Sequence, residues 1–280
     1  MLPQPPMRVT DEQRESLREN GYAVFRQVID PAVAQRAAAE IVRFVGADLA
    51  DPSTWYRGDR RLDGIAPLHH ADGLWEVRQQ PGVYEVFRRL WGADNLYVDM
   101  NRCCFRPPAS PQHPGRSLGE IHWDIDPRGP LPPSLQGIAL LSDVGRNGGG
   151  YQCVPSIYRK VDEWLAQNAH APDFDFFNPG IDFGDAVQVQ GCAGDLIVWS
   201  TRLPHGPAPN FSRTPRIAAF VSMGVANQDP ELRAERVSWW RDKRAPPWWR
   251  GLPGQLDPEP GPPARLTALG RKLVGVEPWG

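Results

Sequence analysis

His122 and Asp124 stand two residues apart in the run from Glu120 to Asp126. On an extended strand, side chains two apart share a face, so this spacing brings an imidazole and a carboxylate to one point. That is two-thirds of a metal site. A third donor, His205, follows the apolar run Leu196 to Trp199 and precedes Gly206. Eighty-one residues separate Asp124 from His205, which excludes a local finger-like site and demands a fold that brings two strands together. Two histidines and one carboxylate on one side of a metal leave the other side open, an arrangement that suits Fe(II) acting on dioxygen. Asp126 is a rival carboxylate, but it precedes Pro127, where the chain is already turning.

Arg216 lies eleven residues after His205, at the start of the next apolar run. A planar guanidinium is the best donor for a carboxylate, and the distal carboxylate of 2-oxoglutarate would need one. The ordered set His122-x-Asp124, Asn147 with Gly148 and Gly149, Val154-Pro155-Ser156, Gly194-Asp195-Leu196, His205-Gly206 and Arg216 resembles the phytanoyl-CoA dioxygenase-like family. The resemblance covers roughly residues 22–225 and is loose before Asn95. It implies a double-stranded β-helix of the jelly-roll, cupin-like kind, an Fe(II) cofactor, 2-oxoglutarate as co-substrate and O₂. It also implies His122, Asp124 and His205 as metal ligands and catalytic residues, with Arg216 as the 2-oxoglutarate anchor. Gln136 and Asn101, on flanking strands, are candidates to help hold the co-substrate. One departure is Pro155-Ser156-Ile157-Tyr158, where the family commonly ends this turn in a histidine; that histidine is not a ligand, so substrate contacts are what would differ. Related halogenases replace the metal-binding aspartate by a small residue, so Asp124 favours oxygenation.

The elements that would position these residues follow from periodicity and punctuation. Helices are expected over about 11–20, 32–45, 81–90, 156–168, 229–240 and 266–273, each with apolar spacing or end signals of the helical kind. Strands are expected over 22–29, 96–105, 119–123, 135–142, 150–154, 187–190, 195–200 and 216–225, separated by Pro, Gly, Asn and Asp clusters. The reading is a mainly β chain with flanking helices. We expect one domain over 1–280: helices, a first strand and a lid loop in 1–94, the β-helix core in 95–227, and a helical, Pro-rich tail packed on the core in 228–280. The aperiodic segment 51–72 is the expected mobile lid.

Several features have bland readings. His69 and His70 point opposite ways on a strand and are expected to make a loop contact or nothing, as are His113 and His170. Gly148 to Gly150 lacks a following Lys-Ser/Thr and reads as a turn. Trp55, Trp75, Trp123 and Trp199 suit an aromatic pocket or core packing equally, while Trp239, Trp240, Trp248 and Trp249 are expected to clamp the tail or form a subunit interface. Arg57, Arg60, Arg61 and Arg78 read as a solvated group, with contact to an acidic substrate as the alternative. The four cysteines lack CxxC spacing and fit reduced thiols.

With 31 Lys and Arg against 33 Asp and Glu, the net charge of −2 gives no basic excess for nucleic acid. No apolar run approaches the roughly 20 residues that span a bilayer, and residues 1–7 lack a signal pattern, so a cytoplasmic protein without membrane partners is expected. The expected activity is a dioxygenase that oxidises a small organic molecule, with a secondary metabolite favoured over an acyl-CoA. A cupin-like metalloenzyme that does not use 2-oxoglutarate would keep the ligands without needing Arg216, and a silent ligand-binding barrel would keep only the fold.

Overall fold

Thr10 opens the first helix through a reciprocal capping box with Gln13, and Gly21 ends it in the left-handed region. A computed structural model describes residues 9–58, 64–112, 120–131 and 133–280. After helix α1 (Asp11–Asn20) and strand β1 (Tyr22–Phe25), Asp30 caps and Pro31 starts α2 (Pro31–Val45). The buried stripe of α2, Val33, Ala34, Ala37, Ile41, Phe44 and Val45, recurs at helical steps. Then come β2 (Ile65–Ala66), α3 (Asp72–Arg78), α4 (Pro81–Trp91), β3 (Leu96–Val98), β4 (Cys103–Arg106), β5 (Leu135–Leu140), β6 (Tyr151–Cys153), α5 (Pro155–Tyr158) and α6 (Val161–Asn168). The chain finishes with β7 (Val187–Gln188), β8 (Leu196–Ser200), β9 (His205–Pro207), β10 (Arg216–Phe220), β11 (Met223–Val225), α7 (Pro230–Arg241) and α8 (Ala268–Val274).

Six strands pair antiparallel in the order β1-β8-β5-β10-β4-β2, and β7-β6-β9 form a smaller sheet. Side chains of the large sheet divide by alternation. Cys104, Ile138, Leu140, Ile197, Trp199 and Ala218 join Tyr151 and Cys153 of the small sheet in one apolar cluster. Their neighbours Cys103, Phe105, Ala139, Leu196, Val198, Ile217 and Ala219 face the other way, into a larger cluster with α2, α3 and α4. Trp239 of α7 and Leu273 and Val274 of α8 belong to that same cluster. The layers are therefore helices, large sheet and small sheet.

Several expectations need correction. Helices are at least as extensive as strands, so the chain is a balanced mixture of the two, because residues 11–91 and the tail supply six of the eight α-helices among the described residues. The long strands expected over 96–105 and 216–225 each break in two, and β3 pairs β11 in a separate two-stranded sheet. Between the pairs Ala219↔Cys103 and Met223↔Val98, four steps on one strand oppose five on the other. That extra residue is a bulge at 99–102, of the kind that re-aims side chains.

The expected mobile lid is packed over its described part. Trp55 is 5% exposed with its indole N–H donating to the Asp48 carbonyl, and Ile65 and Ala66 extend the large sheet against β4. His69 and His70 are fully buried, and their backbone N–H groups donate to the two Glu259 oxygens at 2.5 and 2.9 Å. Arg78 is also interior at 1% exposure, donating to the His69 and Asn101 carbonyls, while Arg57 remains exposed. Arg60, Arg61, His113, Gly119 and residues 1–7, all singled out in the sequence, lie outside the described residues. All four cysteines are free, three of them buried and Cys192 exposed.

Candidate metal centre

Residues 120–123, the described part of the strand expected over 119–123, form only an isolated bridge, yet the alternation that strand reading relied on survives. Ile121 and Trp123 are buried, while His122 and Asp124 face the cavity. Trp123 fixes this segment: it is fully buried, its indole N–H donates to the Arg202 carbonyl at 3.0 Å and its ring packs on Trp164. His122 and His205 exchange backbone hydrogen bonds of 2.8 and 3.0 Å, a single bridge that joins the segment to β9. Gly206 makes the approach possible, since a Cβ there would lie 2.0 Å from the Glu120 carbonyl oxygen.

The side chains of His122, Asp124 and His205 present one donor atom each, all within 4.8 Å of one another. The Nε2 of His122 lies 3.5 Å from one Asp124 oxygen and the Nε2 of His205 lies 3.4 Å from the other. The Nδ1 of His205 sits 2.9 Å from the Leu203 carbonyl, which holds a proton on Nδ1, so that Nε2, which shares its proton with Asp124 when no metal is bound, is the nitrogen a metal would take. Burial raises the Asp124 pKa, but hydrogen bonds and charge from the two imidazoles outweigh it and hold the carboxyl well below its usual range. A carboxylate and two imidazoles at this separation fit a divalent metal, with neutral and anionic donors of the sort iron accepts. Asp126 turns away to pair with Arg128 at 2.7 Å, and His170 is exposed.

These three line a cavity of about 510 Å³ together with Gln136, Asn101 and Arg216. Gln136 donates from Nε2 to Asp124 at 2.6 Å, and its Oε1 accepts the Trp199 indole N–H at 2.9 Å. Asn101 accepts the Arg102 backbone N–H through its own side chain. Arg216 is 6% exposed, stands opposite Arg106 in the β10–β4 register, and has a buried Nε with no hydrogen-bond partner. A guanidinium lining the cavity is the fitting feature for a carboxylate.

Sequence reasoning missed Arg102, Arg106 and Tyr151 as lining residues, and did not place Trp248 and Trp249 at the cavity. For Arg102, Cys104 and Arg106 the alternation of β4 was the available signal. The Tyr151 ring stacks on His205 and leans on Trp199, with centroids 5.7 and 4.6 Å away. The tryptophans of the tail carried no such signal, because only the chain's return path brings them here.

Against protein families, residues 17–218 match the phytanoyl-CoA dioxygenase model. The chain belongs to the phytanoyl-CoA dioxygenase family. Like other members it is a 2-oxoglutarate-dependent non-haem iron oxygenase, working with Fe(II), 2-oxoglutarate and O₂. A Dictyostelium discoideum protein named for the same family is 23% identical over 257 residues, covering 75% of this chain and 74% of its own. The Ava biosynthesis cluster protein O of Aspergillus versicolor is 25% identical over 227 residues, covering 69% and 70%. Among solved structures, the non-haem α-ketoglutarate-dependent carbocyclase SnoK from nogalamycin biosynthesis superposes with a TM-score of 0.52 at 20% identity, over 81% of this chain and 90% of that one. Among the described residues of this family member, no helix is long and apolar enough to cross a membrane.

Proposed function

We propose that His122, Asp124 and His205 hold the iron and that Arg216 receives the distal carboxylate of 2-oxoglutarate, for oxidation of a small organic molecule. The observation that carries this reading is the convergence of the three donors within 4.8 Å in a cavity that Arg216 also lines. Iron with 2-oxoglutarate and O₂ supplies oxidation of an unactivated C–H bond, in which R–H, O₂ and 2-oxoglutarate become R–OH, succinate and CO₂. The chain's own residues bind, orient and shield. Gln136 has both ends of its amide engaged, so we assign it to holding Asp124 in place, with Trp199 behind it, in preference to the co-substrate. Leu203 fixes the His205 tautomer, and the rings of Tyr151 and Trp199 keep water from that side of the imidazole.

Two sheets facing each other across one apolar cluster support a double-stranded β-helix core, and a core cluster that runs from Ala23 to Val274 supports a single domain with its tail folded back. The substrate reading is a secondary metabolite. It rests on the biosynthesis-cluster name of the Aspergillus relative. Anaerobic Fe(II) protein titrated with 2-oxoglutarate, followed by succinate measurement in air, tests the function. Arg216→Ala is expected to weaken 2-oxoglutarate binding by roughly tenfold to a hundredfold, the worth of a charged, bidentate hydrogen bond. Iron-dependent turnover that survives with 2-oxoglutarate affinity unchanged would favour a cupin-like enzyme that does not use this co-substrate.

A further inference from the structure

Asn101 and Arg102 are sequence neighbours, yet both line the cavity. A regular strand would send one of them to the opposite face; the extra residue in the β3–β4 stretch removes that constraint. Arg102 continues the β4 alternation with Cys104 and Arg106 into the cavity, and the extra residue lets Asn101 join them there. Arg102 has no carboxylate within ion-pair distance among the described residues, and its Nε is buried without a hydrogen-bond partner. Burial pulls its pKa down, while Cys104 and Asp124 push it up. A guanidinium left this way costs stability unless something else uses it.

What holds Arg102 is an aromatic ring from the tail. Its guanidinium carbon lies 3.6 Å from the centroid of Trp249, a cation–π contact, and no described group accepts a hydrogen bond from its guanidinium. Trp249 sits on the 3₁₀ turn Pro247–Trp249, and its neighbour Trp248 is 63% exposed at the same cavity. Ile125, 43% exposed, and Phe220 add apolar surface to the lining. The cavity thus offers a cation with open edges beside exposed aromatic and aliphatic walls.

From this we infer that Arg102, braced by Trp249, is a substrate subsite for an anionic group, a carboxylate in particular, on a molecule with a flat apolar body. The inference rests on the oxygenase reading of the cavity and names the substrate class for it. Arg216 serves the co-substrate and Arg102 the substrate, so the two anions occupy separate guanidinium groups. The Trp249 brace makes Arg102 a rigid fork, and its N–H edges select a planar carboxylate over a neutral amide of the same shape.

The test uses 2-naphthoate and its neutral isostere 2-naphthamide as probes, titrated into anaerobic Fe(II) protein saturated with 2-oxoglutarate and followed by tryptophan fluorescence. Naphthoate is expected to bind roughly tenfold or more tightly than naphthamide, and Arg102→Gln to erase the difference, with Arg102→Lys restoring part of it. Melting temperature and iron content of each variant report the fold. Equal binding of the two probes, no binding of either, or a preference that survives Arg102→Gln overturns the subsite. So does displacement of 2-oxoglutarate by naphthoate, or a loss of 2-oxoglutarate affinity in Arg102→Gln, since either would put Arg102 on the co-substrate. Failure of wild-type protein to bind 2-oxoglutarate at all would instead sink the oxygenase reading, and that arm is read separately.

Discussion

Single side chains decide what this cavity can do. Asp124 is drawn on by three groups: both imidazoles approach its oxygens and the Gln136 amide donates to it at 2.6 Å. A ligand carboxylate held by a neighbouring hydrogen bond keeps the orientation a metal needs, and loss of such support costs roughly tenfold to a hundredfold in metal affinity. Gln136→Leu, which fills the same space without the donor, is accordingly expected to weaken Fe(II) binding by about that factor while leaving the melting temperature near wild type. Unchanged iron affinity in anaerobic titration would mean that Asp124 does not depend on Gln136. His122, Asp124, His205 and Arg216 could be singled out in the sequence because the chemistry proposed for them is written in residue type and spacing, and the structure brings all four to one cavity. The commitments of the Gln136 amide could not be, since Trp199 and Asp124 reach it from other parts of the chain.

At the scale of elements, periodicity served the helices well and the strands less well. The stripe of α2 and the capping box of α1 are local, so the residues that form them also announce them. Strand breaks depend on a partner. The bulge between Ala219↔Cys103 and Met223↔Val98 exists only in the pairing, and neither β3–β4 nor β10–β11 carries a proline or glycine at the break that would betray it. Strand β9 was hidden for a similar reason, because His205–Pro207 is short and becomes a strand by lying beside β6. The run that carries His122 and Asp124, the proposed ligands, shows the reverse case: the strand was not there, but the alternation that mattered for the side chains was. Segment 51–72 lacks a period, and the contacts of its described part, the buried Trp55 and the pairing of Ile65 and Ala66 with β4, come from partners elsewhere in the chain.

For the molecule as a whole, the tail is tied to the core at one buried polar cluster. Glu259 accepts from the backbone N–H groups of His69 and His70, and the His70 ring nitrogen lies 2.8 Å from the Arg244 carbonyl. Burial raises the Glu259 pKa to about 7 and lowers His69 to about 4 and His70 to about 3. The signs oppose. The raised carboxyl contributes stability below its unfolded value of 4.5 that is lost as pH rises through 7, whereas the depressed histidines contribute stability above their unfolded value of 6.5 that is lost as pH falls toward 4 and 3. Two histidines outweigh one carboxyl between about pH 4.5 and 6.5, so stability rises with pH across that window and levels or dips slightly beyond it. The expected observation is a urea midpoint that climbs from pH 4.5 to 6.5, with protease cleavage in the tail fastest at the acid end; a flat or falling midpoint would count against this role for the cluster. Because Trp249 of the same tail reaches Arg102, loosening the tail also alters the cavity. The central claim remains that one iron sits among His122, Asp124 and His205, and anaerobic Fe(II) titration by calorimetry tests it most directly. The account predicts one iron per wild-type chain and loss of that binding in Asp124→Ala with the fold retained; one iron bound with undiminished affinity by Asp124→Ala would contradict it.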